Sequence, residues 1–433
     1  MTGTAATGWQ SPSTSAPDDR ALSTFQCGAI GVMAFCVMAM NGFPVAWSSF
    51  PQVIAISGLL MLQRSPKAIL AGAFSGPMRA FTLMFLTLAA IALITAFASG
   101  DSESIGEALL RTVAPLLPFF ALAGVSIRTR HVNWIIGGFV AGAAVLLLRA
   151  TFALYAEWGV PDFNMVLWAR FDVIRMRGYM DASLGNLSHL GLYVTLLAPF
   201  LIAVLAYFRV GRLMTYAIVL VLLLSLVNSV VSGSRTAIVL MLPMTALIFA
   251  RRGPGALIVF FGIIAVLATI GIVYGLDPVS QTDLINRFIP SEGATGYDAS
   301  AVERVDSIYL GWEVFKEHPL LGIGPGLSYK YISYTIPHES IVHMLLEMGV
   351  FGGILFLIIS LATIAFAALA ILAPDPDGRM HWRAAWLIGP AAYFFFGLTS
   401  GIAFTMSIAM VWIGAVYMMI PLAHARIVGD DAP

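Results

Sequence analysis

The sequence predicts an all-α, polytopic membrane protein: a bundle of about twelve transmembrane helices with a large outer loop containing short helices. Three observations predict it. Of 433 residues, 59% are apolar and 11% charged, a balance foreign to a water-soluble domain of this size. Apolar segments of about 20 residues, the length that crosses ~30 Å of hydrocarbon as a helix, recur along the chain. Basic and acidic residues alternate from one connection to the next, as expected when Lys and Arg are retained on the cytoplasmic side.

Residues 1–24 are small and polar, and Arg20 follows two aspartates; this reads as a disordered cytoplasmic tail, not a cleaved signal peptide. The bundle occupies 25–424, with spans at 25–43, 46–63, 80–99, 105–127, 132–156, 188–208, 213–231, 236–250, 256–275, 345–373, 384–402 and 404–424. The second and eighth are short, and 68–78 reads as an interfacial piece, so eleven or thirteen spans are the neighbouring counts. Residues 425–433 form a second cytoplasmic tail. With both termini inside, the inner connections hold Arg20, Arg64, Lys67, Arg79, Arg128, Arg130, Arg209, Arg212, Arg251, Arg252, Arg379, Arg383 and Arg426. The outer connections carry Asp101, Glu103 and Glu107, and then a run of acids from Asp277 to Asp306. Formal charge is zero and no basic block exists, which excludes nucleic acid as a partner. Cys27 and Cys36 share one apolar segment, in helical positions that disfavour a mutual disulfide.

The arginines that break the charge rule are the informative ones. Arg170, Arg175, Arg177, Arg235, Arg287 and Arg304 fall on the outer side, and Arg111 and Arg149 fall within spans. An arginine in a helix centre costs about 2.5–3.5 kcal/mol on insertion scales, so a buried one needs a partner or a function. Arg235 stands in SGSR, which interrupts an apolar run and opens the next helix. A guanidinium beside the free N–H groups of a helix start suits a phosphate; a snorkelling interfacial arginine is the plain alternative. In the outer loop, 276–340, the residues Val302, Val305, Ile308, Tyr309, Trp312 and Phe315 recur at helical spacing, predicting an amphipathic helix over 301–315. Arg304 lies in its first turn, either free to hold an anion or paired with Glu303 or Asp306. EHPLLGIGPG then ends the helix in a turn whose glycines allow close backbone approach to a ligand.

Four stretches together resemble the O-antigen ligase family and its relative, the O-antigen polymerase. They are GYMDASLGNLSHLG, SGSRTAIV, the Arg304–Trp312 helix running into EHPLLGIGPG, and His338 through Gly352, so the resemblance covers about residues 165–370. The family's last motif is a histidine, a small polar residue, nine positions, glycine, two positions and a glycine. His338, Gly349 and Gly352 fit this spacing, whereas Glu339 replaces the usual Asn, Ser or Thr.

The resemblance implies a GT-C-like fold and glycan transfer at the periplasmic face of the bacterial inner membrane, from an undecaprenyl-diphosphate-linked donor to an acceptor glycan or glycolipid, without metal, nucleotide or other cofactor. The leaving lipid diphosphate needs countercharge, which arginines supply through bidentate contacts. Arg235 and Arg304 are the diphosphate candidates, with Arg177 a third. The acceptor hydroxyl needs a base of near-neutral pKa, and His338 is the first candidate. Glu339 either serves as that base or orients the imidazole. His343 and Glu347, one helical turn apart, are expected to pair on one face. Gly349, Gly352 and Gly353 are expected to let neighbouring helices approach. The resemblance leaves ligase and polymerase open. A transporter of lipid-linked sugars would show midspan charges and internal repeats, and only Arg111 and Arg149 fit the first requirement.

Overall fold

The computed structural model describes residues 21–39, 49–158, 187–208, 210–232, 299–332, 340–373, 379–399 and 409–428, with scattered residues between 242 and 265. Nearly all of them are helical. In order they form α1 (Thr24–Ala39), α2 (Ser49–Leu62), α3 (Pro66–Ala73), α4 (Met78–Ser99), α5 (Ser102–Ala108), a π-helical turn (Leu109–Val113), α6 (Leu116–Leu122), β1 (Ser126–Arg128) and α7 (Thr129–Trp158). Then come α8 (Leu187–Tyr207), α9 (Arg212–Ser232), α10 (Ala299–Glu317), α11 (Ser328–Tyr331), α12 (Ser340–Leu372), α13 (Arg379–Thr399), α14 (Ala409–Ala423) and β2 (Arg426–Val428).

Among the described residues, four helical segments are long and apolar enough to cross a bilayer: Met78–Ser99, Ser102–Leu122, Thr129–Leu148 and Ser340–Leu372. α2 and α3 would make a fifth as one broken span, bent by 111° at Arg64 and Ser65. The expected interfacial piece at 68–78 is thus largely the short helix α3, capped by the Ser65 side chain, which accepts from the Ala68 N–H. Several further apolar helices are shorter. The chain is a multi-pass helical membrane protein, and the structure does not establish twelve crossings.

The core joins α1, α4, α7, α8, α12, α13 and α14. Trp386 of α13 packs against Phe139, Phe200 and Trp382, and Tyr417 of α14 stacks on Phe85 at 4.2 Å. α1 and α7 touch through glycine: a Cβ on Gly138 would stand 2.0 Å from the Gly31 carbonyl oxygen. Lipid offers no hydrophobic drive for helices to associate, so such close backbone contact supplies dispersion attraction instead. Outward-facing Phe351, Ile354, Ile358, Leu361, Leu369 and Leu372 form the exposed apolar stripe of α12.

Two ends of the bundle differ in charge. At one end β1 pairs in parallel with β2, and Leu22 N–H donates to the Ser126 carbonyl at 2.8 Å. The first and last described segments therefore meet at the same end. Arg64 donates to the Ala121 and Ala123 carbonyls at 2.9 and 2.7 Å, satisfying the open C-terminus of α6. This little sheet departs from the all-α expectation. Three-residue strands carry too little periodicity to be read from sequence. At the other end, reached by α4, the segment from Asp101 to Arg111 meets the 318–332 segment and the start of α12.

Candidate active site

α12 is not one helix. At Gly349 the backbone has φ 65° and ψ −168°, which breaks the ladder and separates a nine-residue outer piece, Ser340–Met348, from the spanning piece beyond. Val350 onward supplies 23 residues, about 35 Å of helix, enough to cross the hydrocarbon alone. A break leaves backbone groups without partners, which membrane surroundings do not supply. The glycine-rich segment supplies them here. Ile323 N–H donates to the Leu346 carbonyl at 3.0 Å, Gly324 N–H to the Glu347 carbonyl at 2.9 Å, and Val350 N–H to the Pro319 carbonyl at 2.9 Å. Gly322 has φ 68°, and a Cβ there would stand 2.5 Å from the Glu347 carbonyl carbon.

This corrects two expectations from the sequence. The GIGPG glycines approach the protein's own α12, Ser99, Ser104 and Glu107, where the expectation was a ligand. Likewise, Gly349 forms the break and faces the Leu320 carbonyl, while Gly352 and Gly353 let the spanning piece approach Met348 and Leu345 across that break. Ile323, Leu327, Ile332 and Leu346 seal the joint as a small apolar cluster, with Val314 of α10 packed on it.

Four charged or titratable side chains lie inside this joint. His343 Nε2 is 3.0 Å from Glu347 Oε1, both side chains 2% exposed, so the expected i,i+4 pair is present. Its angle falls short of a hydrogen bond, and neither imidazole nitrogen is hydrogen-bonded among the described residues. Glu347 Oε2 lies 3.6 Å from Arg111 Nη1, and Arg111 Nε lies 2.5 Å from Glu107 Oε2. The Gly326 N–H also donates to the Glu347 carboxylate. Arg111, expected within a span and in need of a partner if buried, does lie within the Ser102–Leu122 segment and pairs with Glu107 and Glu347. The sequence did carry one signal for this: an acid four residues before an arginine on a helix. The π-helical turn, closed by Ala114 N–H donating to the Leu109 carbonyl, sets the position of Arg111.

A second, exposed clamp ties the segment down. Lys330 Nζ is 2.6 Å from Asp101 Oδ2 and 3.1 Å from Glu103 Oε2, and the Tyr329 hydroxyl donates to Glu103 at 2.6–2.7 Å. The lysine contact and the Glu103 N–H hold the Asp101 carboxyl below its ordinary pKa. The Asp101 and Glu103 contacts raise that of Lys330. A depressed carboxyl contributes above its ordinary value of about 3.9 and loses that contribution as pH falls; a raised lysine contributes below about 10.4 and loses it as pH rises. Exchange protection of the Tyr329–Ile332 amides, corrected for intrinsic rates, should therefore be flat between about pH 5 and 9 and drop at either extreme. Lys330→Met should lower it about two- to fivefold at pH 7. Unchanged protection in that variant would show the clamp to be idle.

Of the residues expected to carry the chemistry, Arg177, Arg235, His338 and Glu339 lie outside the described residues. Arg304 lies in α10, the helix expected over 301–315 and observed over Ala299–Glu317. α10 packs on α12 and leads directly into the segment stitched to it. No group of three or more His, Cys, Asp and Glu placed to hold a metal occurs among the described residues.

The family model described as O-antigen ligase matches residues 220–357. Over these residues the chain is similar to the O-antigen ligases. The match takes in α10, the glycine-rich segment and the broken start of α12, as well as Arg235, Arg304, His338 and Glu339. It is narrower than the resemblance over 165–370, and Arg177 and GYMDASLGNLSHLG fall outside it. Comparison with curated proteins returns no match. The matched residues therefore include Gly349, the first of the two glycines in the motif quoted above, and the glycine-rich segment packed against it.

Proposed function

We propose that this protein transfers a glycan from an undecaprenyl-diphosphate donor to an acceptor sugar hydroxyl at the periplasmic face of the inner membrane, as an O-antigen ligase whose acceptor is lipid A–core. The acceptor oxygen attacks the anomeric carbon, the bond from that carbon to the phosphate oxygen breaks, and the lipid diphosphate leaves with the electron pair. His338 takes the hydroxyl proton, or Glu339 does so in its place. Arg235 and Arg304, with Arg177, meet the charge that develops on the diphosphate. Direct displacement inverts the anomeric centre, and no metal is required. The orientation follows from charge, with the Arg64, Arg128 and Arg426 end cytoplasmic and the Asp101–Glu107 end periplasmic.

The observation that carries this reading is the ligase match over 220–357, which spans four of the five proposed site residues. Chain connectivity supports it: Arg304 sits on the helix that feeds the stitched segment, and His338 and Glu339 immediately precede α12. A second reading, a polymerase extending lipid-linked repeat units of O-antigen or exopolysaccharide, is favoured by Glu339, which departs from the ligase motif.

Purified protein incubated with lipid-linked oligosaccharide, alone and then with lipid A–core, separates the two. Transfer only to core is the expected result, and elongation without core would make the protein a polymerase. His338→Ala should lower turnover by at least about 10²-fold while the protein stays folded. Arg235→Lys should also lose most activity, because the charge remains but the planar fork does not. Wild-type turnover in His338→Ala would remove the base assignment, and a strict Mg²⁺ requirement would contradict metal independence.

A further inference from the structure

We propose that Glu347 is a positioning residue of the transfer site, acting through the backbone joint it closes; this rests on the reading of the chain as a glycan transferase. The carboxylate belongs to a membrane helix, is 2% exposed, and is held by three separate pieces of the protein. Oε1 meets His343 of its own helix, Oε2 meets Arg111 of the π-helical turn, and the Gly326 N–H donates to the carboxylate from the glycine-rich segment. Its main-chain carbonyl accepts from Gly324 as well.

These contacts converge on the point where two paths to the proposed site residues are joined. One path runs up α12 from Glu347 to Ser340, seven residues or about 10 Å of helix, beyond which the chain continues into Glu339 and His338. The other runs back from the stitched segment into α10, which carries Arg304. The break at Gly349 frees the outer piece of α12 from the spanning piece, so its height and rotation are set by what holds it. The backbone bonds to the glycine-rich segment and the Glu347 carboxylate together hold it. A side chain needed only to fill space here could be apolar, and a buried ionised group is costly to keep. What a carboxylate adds is a charge whose two oxygens meet His343, Arg111 and the glycine-rich segment at once.

The joint therefore links the start of α12, which His338 and Glu339 precede in the chain, to α10, on which Arg304 stands. An error of about 1 Å in the placing of one reacting group against another lowers the chemical step about 10²-fold while leaving substrate affinity largely intact. Mere structural glue would behave otherwise, losing activity in proportion to the unfolded fraction.

The test uses the full chain in detergent or nanodiscs, with Glu347→Gln as the isosteric uncharged variant and Glu347→Asp as the conservative one. Initial rates are measured against lipid-linked oligosaccharide, alongside thermal unfolding and amide exchange over Leu321–Leu327. The expected result for Glu347→Gln is a fall in kcat of about tenfold or more with KM within about twofold, faster exchange in the segment, and a protein still folded at the assay temperature. Glu347→Asp should recover at least part of the lost kcat. The proposal is overturned by wild-type kcat in Glu347→Gln, by a loss that tracks unfolding, or by a rise in KM at constant kcat. A wild-type protein that transfers nothing counts against the transferase reading; wild-type transfer unaffected by Glu347→Gln counts against Glu347 alone.

Discussion

Gly349→Ala is expected to destabilise the protein by about 3–5 kcal/mol and to abolish glycan transfer. Two independent costs add. At φ 65° and ψ −168° the backbone occupies a region open almost solely to glycine, worth about 1–3 kcal/mol of strain for any other residue. The new methyl would also stand 2.1 Å from the Leu320 carbonyl oxygen and 2.4 Å from its carbon. Both are main-chain atoms, so no side-chain rotation relieves the clash; the Pro319–Gly324 segment must withdraw. Its withdrawal unmakes the Ile323, Gly324 and Val350 hydrogen bonds, at about 1 kcal/mol each if the freed groups find water and more if they do not. The measurement is thermal unfolding of wild type and variant in one detergent, with amide exchange over 319–327 to locate the damage. A melting temperature within about 2 °C of wild type would show that the break at Gly349 is not needed.

The same glycine shows what a sequence can and cannot disclose. Its place in the motif, eleven residues after His338, was legible, but its physical role was not. A run such as LLEMGVFGG reads as small residues in a helix, because periodicity reports side-chain faces and is blind to a single reversed φ. Helices were the easy part: segments expected at 80–99, 132–156, 188–208 and 213–231 correspond to Met78–Ser99, Thr129–Trp158, Leu187–Tyr207 and Arg212–Ser232. Each is a long apolar run closed by glycine or charge, and length alone decides between strand and helix there. His343 with Glu347 was legible for a related reason, since one turn of a helix fixes both. Arg111 was rightly placed within a span, but its second partner, Glu347, is distant in the chain, so no local pattern could name it. The β1–β2 pairing joins Ser126–Arg128 to the distant Arg426–Val428 through three residues on each side, below what any local pattern reveals.

Arg111→Met should cost about 3–5 kcal/mol, the usual penalty for removing one partner from a buried ion pair. Two carboxylates depend on that guanidinium, and they differ in how they respond to its loss. Glu107, with 32% of its side chain exposed, turns toward water and loses little. Glu347 has no such escape, being 2% exposed and fixed by its place beside Gly349. Its remaining partners are His343 and the Gly326 N–H, so most of the penalty falls on the joint between α12 and the glycine-rich segment. That attribution separates this variant from an ordinary loss of packing, because removing the second charge should reverse part of it. Arg111→Met combined with Glu347→Met replaces ions by flexible apolar chains, and the pair should be less destabilised than the sum of the single variants by about 2 kcal/mol or more. A double-mutant cycle read by chemical or thermal unfolding supplies the number. Strict additivity, or a single variant within about 1 kcal/mol of wild type, would mean that the 3.6 Å approach of Arg111 to Glu347 carries no energy and that the outer piece of α12 is held by its backbone bonds alone.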